Sequence, residues 1–186
     1  MARINLGTES FITPEPVLMI AAYDENGVPD IMNAAWGGIS GENQISMCIS
    51  PGHKTTKNIL IKKAFTVSFA TADTVVASDY VGIVSANQVP DKFAKAGFTA
   101  TKSEFVDAPL VDQYPLAIEC EMVSYDADTH IMTGKILNIS ADESVLTDGA
   151  VDLAKVRPIV YDGLNFNYNV LGEIVGTAFE DGKQMK

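Results

Sequence analysis

The fold of this chain is constrained most by short apolar runs of strand length that alternate with turn sequences. Val17–Tyr23 is a continuous apolar run, and an Asn-Gly turn leads from it to a second run at Ile31–Trp36. In Gln44–Ser50 and Leu116–Met122, apolar and polar side chains alternate, as in strands with one buried face. The first three runs predict an antiparallel meander, with Gly37–Asn43 as a connection. The pattern predicts a mainly β fold, most simply a closed barrel, because closure leaves no bare edge strand.

A few segments predict covering helices or irregular structure. Lys57–Lys63 predicts a short helix, and Asp73 is placed to cap another whose apolar residues have helical spacing. Asp91–Lys95 predicts a third short helix. Thr99–Gln113 is polar and predicted to be irregular, whereas the tail Val170–Phe179 is predicted to close the domain as a helix weakened by two glycines. Further strands are predicted at Phe65–Ala70, His130–Ser140, Ile159–Tyr161 and Asn165–Tyr168.

The turn from Ser50 to Asn58 reads Ser-Pro-Gly-His-Lys-Thr-Thr-Lys-Asn and leads into the first helix. A helix N-terminus carries unpaired backbone N–H groups and a partial positive charge, to which Lys54 and Lys57 add full charges. This arrangement predicts a phosphate site. The alternative is that Thr55 or Thr56 is only an N-cap and the lysines form a solvated face. The glycine spacing of a Walker loop or a Gly-x-Gly-x-x-Gly motif is absent.

The charge balance restricts the class of ligand. A formal net charge of −11 argues against nucleic acid and against an anionic membrane surface, since both require a basic face. The densest basic patch is local, and in so acidic a chain it suggests a small anionic ligand. This patch consists of Lys54, Lys57, Lys62 and Lys63.

The cysteines and the absence of targeting patterns predict a cytoplasmic protein. Cys48 and Cys120 lie in strand-like apolar runs without metal-ligand spacing, which predicts buried free thiols in a reducing compartment. No apolar run reaches the length of a membrane span, and Met1–Thr13 lacks a signal-peptide pattern.

Several of these motifs occur together, in the same order, in one known family. The chain resembles the flavin reductase-like FMN-binding proteins, and within them the flavoredoxin-like group, over nearly its whole length. The resemblance implies a single FMN-binding domain over residues 1–186 with an antiparallel Greek-key split β-barrel. It also implies a homodimer with FMN near the subunit interface. The motifs that carry the resemblance are Asn33–Trp36, Ser50–Ile59, Phe65–Ala70, Val89–Phe93 and Leu171–Phe179.

FMN requires a cationic cradle for its phosphate, an apolar slot for its ring and a few donors at the ring edge. For the ring, Trp36 offers flat area beside the small Ala34 and Ala35, and the Asn33 amide can donate and accept. Trp36 is equally a candidate core anchor, and only the resemblance favours its flavin role. The turn residues assigned to the phosphate are Ser50, Lys54, Thr55 and Thr56.

Three further ligands are assigned by resemblance alone. The resemblance implies that Lys92 and His130 approach the flavin and that Phe166, in the late hairpin, packs near it. A cation near the flavin would stabilise its anionic reduced form. Without the resemblance, Lys92 is a surface lysine and His130 a hairpin residue.

Two functions from different classes fit these observations. The first is an NAD(P)H-dependent flavin or acceptor oxidoreductase, and the second is an electron carrier that takes electrons from a protein donor through bound FMN. A haem-binding version of the same barrel is a third, which the phosphate-like turn argues against. The sequence offers neither a credible nucleophilic triad nor a metal-ligand pattern.

Overall fold

The structure, a computed structural model, describes residues 2–185, so Met1 and Lys186, the two end residues of the predicted domain, lie outside it. Within these residues no helix is both long and apolar enough to cross a membrane. The helices are α1 (Lys54–Lys62), α2 (Val75–Ile83), α3 (Lys92–Lys95) and α4 (Leu153–Val156), with 3₁₀ turns at Glu143–Val145 and Asp181–Met185. The strands are β1 (Glu15–Pro16), β2 (Leu18–Tyr23), β3 (Pro29–Ala34), β4 (Gly37–Gly41), β5 (Gln44–Cys48), β6 (Ala64–Phe69), β7 (Ala100–Lys102), β8 (Pro109–Val111), β9 (Leu116–Asp126), β10 (Ile131–Ala141), β11 (Leu146–Thr147), β12 (Ala150–Val151), β13 (Ile159–Asp162) and β14 (Asn167–Val170).

Seven strands form one antiparallel sheet in the order β3-β2-β6-β9-β10-β5-β4. Its two edge strands, β3 and β4, are consecutive in the chain and are separated only by Ala35 and Trp36. That link spans at most about 11 Å, whereas the edges of a flat seven-stranded sheet would lie roughly 29 Å apart. The sheet must therefore curl until its edges meet. After β5 the chain returns to place β6 beside β2, a Greek-key connection. The mainly β split barrel is confirmed.

The continuous apolar run of β2 is explained by burial on both faces. Alternate residues Leu18 and Ile20 belong to a core cluster shared with β5, β6, β9 and β10, inside the curled sheet. Met19 and Ala21 point the other way, into a second cluster under α2 and α3. A strand covered on both faces reads as an unbroken hydrophobic run rather than as an alternating one.

Several predicted elements were wrong. Gly37–Gly41, expected to be a connection, is strand β4, and β3 does not pair with β5, so the predicted three-stranded meander is absent from the described sheet. Thr99–Gln113 contains the hairpin β7–β8 rather than irregular chain. The tail Val170–Phe179 is not helical: after β14 it has no regular secondary structure, and it lacks the buried face that would stabilise a short helix.

Two helix starts also differ from expectation. Helix α1 begins at Lys54 rather than Lys57, and its N-cap is His53, which makes no side-chain cap hydrogen bond. The alternative in which Thr55 or Thr56 is the N-cap is therefore wrong. Helix α2 is capped at Thr74 rather than at Asp73, whose carboxylate instead accepts from Arg157 at 3.0 Å.

Gly134 allows the barrel interior to close around an aromatic side chain. It lies in β10 at a register shift opposite β9, where the pairing is interrupted. A Cβ at this position would overlap the ring of Phe65, which is completely buried. Gly38 in β4, by contrast, has open space where a Cβ would stand.

We expect Gly134→Ala to lower the free energy of unfolding by about 1–3 kcal/mol, the usual cost of overpacking a core. The matched control Gly38→Ala should be neutral or slightly stabilising, because alanine restricts the unfolded chain and meets nothing here. Urea denaturation of both variants measures the two effects. Equal losses would mean that contact with Phe65 is not what requires glycine at position 134.

Candidate functional site

The start of helix α1 forms one end of the candidate site. The turn before it is held by the Ser50 hydroxyl, which accepts from the Gly52 N–H at 3.3 Å. His53 has extended backbone angles (φ −68°, ψ 139°), so the helix begins abruptly at Lys54. The first N–H groups of a helix have no partner four residues back, and here no side chain caps them. Lys54 is the first residue of the helix, and its Nζ donates to Asn58 Oδ1, one turn further along, at 2.6 Å.

A cavity of about 210 Å³ lies at this helix start. It brings together four of the predicted site residues: Asn33 from β3, Lys54 and Thr55 from α1, and Lys92 from α3. His53, which the assigned set omitted, lines it as well. Desolvation and the positive charge of Lys92 lower the pKa of His53, which favours the neutral imidazole.

Two further cavities continue along the Asn33–Trp36 segment. One of about 250 Å³ is lined by Asn33, Ala34 and Ala35, and faces Tyr161 and Tyr168. Another of about 520 Å³ is lined by Ala35 and Trp36 together with the N-terminal arm. Because neighbouring cavities share Asn33 or Ala35, this segment forms one wall from the helix start to the tryptophan.

The wall depends on a close approach between β3 and α2. The Asn33 side chain donates through Nδ2 to the Ser78 carbonyl at 3.0 Å. A Cβ at Gly82 would overlap the Asn33 amide, so only glycine fits at this point of α2. Trp36 is 56% exposed, so its interpretation as a core anchor is wrong.

A buried polar network lies behind the first cavity. Lys92 is only 3% exposed; its ammonium lies 3.5 Å from Asp30 Oδ1 and donates to the Val81 and Val84 carbonyls at 3.1 Å each. The Thr55 hydroxyl donates to Asp30 Oδ2 at 2.7 Å. Burial lowers the pKa of Lys92, and the Asp30 carboxylate opposes that shift. The interpretation of Lys92 as a surface lysine is therefore wrong.

The other predicted residues do not line these three cavities. The Ser50 hydroxyl accepts a hydrogen bond within the turn before α1. The Thr56 side chain is fully buried, and its hydroxyl has no hydrogen-bond partner. His130 lies in the turn directly before β10 with φ 60°, and its carbonyl accepts from the Ile49 N–H at 2.9 Å. Phe166 is 79% exposed in the β13–β14 loop. Their assignment to the flavin stays a prediction.

Sequence reasoning missed the residues that support the site from behind. Asp30 lies just before the predicted run Ile31–Trp36 and was not singled out, although it is a buried carboxylate in β3. Tyr161 and Tyr168 belong to a hairpin that was predicted, but its packing against the Asn33–Ala35 wall was not. In residues 2–185 no three His, Cys, Asp or Glu side chains are grouped to hold a metal.

The chain is similar to known proteins over most of its length. Residues 11–167 match the sequence model of the family described as "Flavin reductase like domain". The flavoredoxin of Desulfovibrio vulgaris (Miyazaki F) superposes with a TM-score of 0.93 at 34% identity, over 97% of this chain and 100% of that chain. Flavoredoxin from Methanosarcina acetivorans superposes with a TM-score of 0.90 at 25% identity, over 100% of both chains.

A curated relative extends the sequence similarity to another organism. An uncharacterised protein of Aquifex aeolicus (strain VF5) is 24% identical over 172 residues, which is 87% of each chain. The profile match covers far more than half of the chain, and the first of the two flavoredoxins exceeds 30% identity over almost all of it. This chain therefore belongs to the flavin reductase-like domain family.

Proposed function

We propose that this protein is a homodimeric flavoprotein that binds FMN along the Asn33–Trp36 wall and transfers electrons through it. The observation that carries the proposal is the first cavity, where Lys54, Lys92 and the start of α1 meet one end of that wall. Flavoredoxins are among the proteins that share its fold, and an FMN-binding domain of a flavin reductase-like enzyme from Shewanella baltica does as well.

The chemistry of the cavity fits a phosphate. Backbone N–H groups at the uncapped start of α1 and the Lys54 ammonium are both donors suited to an anion. The His53 imidazole adds a further N–H donor, and its lowered pKa disfavours an additional charge. In a chain with a net charge of −11, this concentration of donors favours a small anion over a polyanion.

The wall beyond the cavity fits a flat ring. Ala34 and Ala35 leave room beside it, and the exposed Trp36 indole supplies an aromatic surface. Bound FMN would supply the redox chemistry, accepting and releasing electrons or a hydride. The protein would orient the ring through Asn33 and would place the positive charge of Lys92 near it, which favours a reduced anion. His130 and Phe166 complete the proposed ligand set by resemblance.

The proposed activity is that of an oxidoreductase that takes a hydride from NAD(P)H. The alternative is an FMN carrier that receives electrons from a redox protein and has no pyridine-nucleotide activity of its own. Steady-state oxidation of NADH and of NADPH, with and without added FMN, separates the two. Turnover with either nucleotide supports the enzyme, whereas FMN that is reduced only by a protein donor supports the carrier.

Exposed apolar side chains support the homodimer. In the tail after β14, Ile174, Val175 and Phe179 are each more than 90% exposed. The tail and α4 also border a groove of about 1090 Å³. Apolar surface of this kind normally lies against another protein surface, and a second copy of the chain would cover it.

We also propose a single domain over residues 1–186 and a cytoplasmic location, consistent with two free cysteines and the acidic surface.

We expect the purified protein to be yellow and to contain about one FMN per subunit, because the chain has one set of phosphate donors next to one ring wall. Denaturation followed by chromatographic identification of the released flavin measures both identity and stoichiometry. A colourless protein that also fails to take up added FMN would refute the proposed cofactor.

Lys54→Ala should weaken FMN binding by about 1–3 kcal/mol, the size of a charge-assisted hydrogen bond, and barely affect riboflavin, which lacks the phosphate. The matched control is Lys57→Ala, since Lys57 is an exposed lysine of the same helix that does not line the cavity. Fluorescence titration with both flavins gives the four dissociation constants. Equal losses for FMN and riboflavin would mean that Lys54 does not hold the phosphate.

Ile174→Asp should convert the dimer to a monomer, because a carboxylate placed in an apolar interface is desolvated without a partner. Val76→Asp is the control, since Val76 is also highly exposed (81%) but lies on α2, outside the tail. Light scattering at micromolar concentration measures the mass of each variant. A wild-type monomer with FMN bound would rule out a flavin site that is built at an interface.

A further inference from the structure

Asp30 and Lys92 form a buried pair of opposite charges behind the first cavity. Asp30 lies in β3 and is 5% exposed, whereas Lys92 lies in α3 and is 3% exposed. Lys92 lines the cavity and Asp30 does not. Moving two charged side chains out of water costs free energy, which their mutual attraction only partly offsets. Because Lys92 lines the cavity, a role at the cavity would explain why the pair is there.

The lysine has a fixed set of partners. An ammonium carries three N–H donors, and two of those of Lys92 point to the carbonyls of Val81 and Val84, at the C-terminal end of α2. Carbonyls at a helix end lack partners within the helix and favour a cation. Asp30 Oδ1 faces the same ammonium at 3.5 Å and is buried without a hydrogen bond of its own.

The carboxylate also connects this lysine to the first helix. Asp30 Oδ2 accepts from the Thr55 hydroxyl, and Thr55 lines the same cavity as Lys92. One side chain of β3 thus holds two cavity-lining side chains, one from α1 and one from α3. Its removal would free both of them.

We propose that Asp30 is a positioning residue, which holds Lys92 as a cation and Thr55 in place in the wall of the FMN cavity. This inference rests on the proposed function, because it assigns Asp30 a role toward the flavin through Lys92. It does not require contact between Asp30 and the flavin.

The charges around Lys92 make Asp30 necessary for this role. The other ionisable groups that line the cavity are His53 and Lys54, neither of which can supply negative charge. On α3 itself, Asp91 pairs with Lys95 at 3.1 Å. Across residues 2–185, Asp30 is the one carboxylate within ion-pair distance of Lys92. Without it, the buried lysine would keep only the Val81 and Val84 carbonyls as partners and would hold its proton less tightly.

The first experiment observes the lysine directly and does not require flavin. In protein labelled with ¹³C at lysine Cε, the Lys92 resonance is assigned with Lys92→Met and followed through a pH titration. We expect wild-type Lys92 to remain protonated at neutral pH. Asp30→Asn, which keeps the size of the side chain, should lower the midpoint of the Lys92 titration by about one pH unit or more. Asp73→Asn, which removes an exposed carboxylate paired with Arg157, is the control and should not change it.

The second experiment is a double-mutant cycle on the dissociation constant for FMN. Asp30→Asn should weaken FMN binding about tenfold in the wild-type background, because Lys92 is no longer held in place as a cation beside the anionic ligand. In the Lys92→Met background the same change should have less than about a twofold effect, because the group that Asp30 holds is already absent. A residue that only stabilises the fold would reduce affinity equally in both backgrounds.

Three results would overturn the inference: a wild-type Lys92 that is neutral at pH 7, a titration that Asp30→Asn leaves unchanged, or equal effects on FMN affinity in the two backgrounds. If Asp30→Asn does not fold, the wild-type titration still tests the inference, because a Lys92 that is neutral at pH 7 would overturn it. A protein that fails to bind FMN would refute the proposed function. The titration would still show whether Asp30 holds Lys92 as a cation.

Discussion

The two-residue link between the edge strands β3 and β4 is the constraint on which the rest of the structure depends. Because Ala35 and Trp36 must join opposite edges of a seven-stranded sheet, the sheet curls, and its two edges meet at this link. The curl encloses one core cluster and leaves the outer face of β2 to be covered by α2 and α3. The link is also the far end of the Asn33–Trp36 wall, so closure of the barrel positions one side of the candidate site.

The electrostatics of the site follow from this geometry. A strongly acidic chain repels anions in general, yet around the start of α1 it gathers Lys54, Lys92 and the uncapped helix N-terminus. Burial amplifies these charges, since the field of a cation is weakly screened away from water. The desolvation cost of Lys92 is offset by Asp30 and by two carbonyls at the end of α2. Local positive charge thus coexists with overall negative charge.

Local sequence patterns correctly predicted the strands that are buried along nearly their whole length. The strands β2 and β6 were predicted because both are nearly completely buried, and such strands read as apolar runs. Strand β4 was missed because its sequence, Gly-Gly-Ile-Ser-Gly, is mostly exposed and carries little hydrophobic signal. The tail Val170–Phe179 was predicted to be a helix, but Ile174 and Val175 are each more than 90% exposed, so no buried face stabilises a helix there.

The sequence by itself determined the turn from Ser50 into α1 and the Asn33–Trp36 segment, because turn chemistry and strand content are local properties. Only the tertiary structure decided that Asp30 contacts both Thr55 and Lys92. It also decided that Tyr161 and Tyr168 line the same cavity as Ala35. These pairs lie far apart in the chain and meet through the Greek-key return and the packing of α2 and α3. No periodicity encodes such contacts, since they depend on which faces the curled sheet brings together.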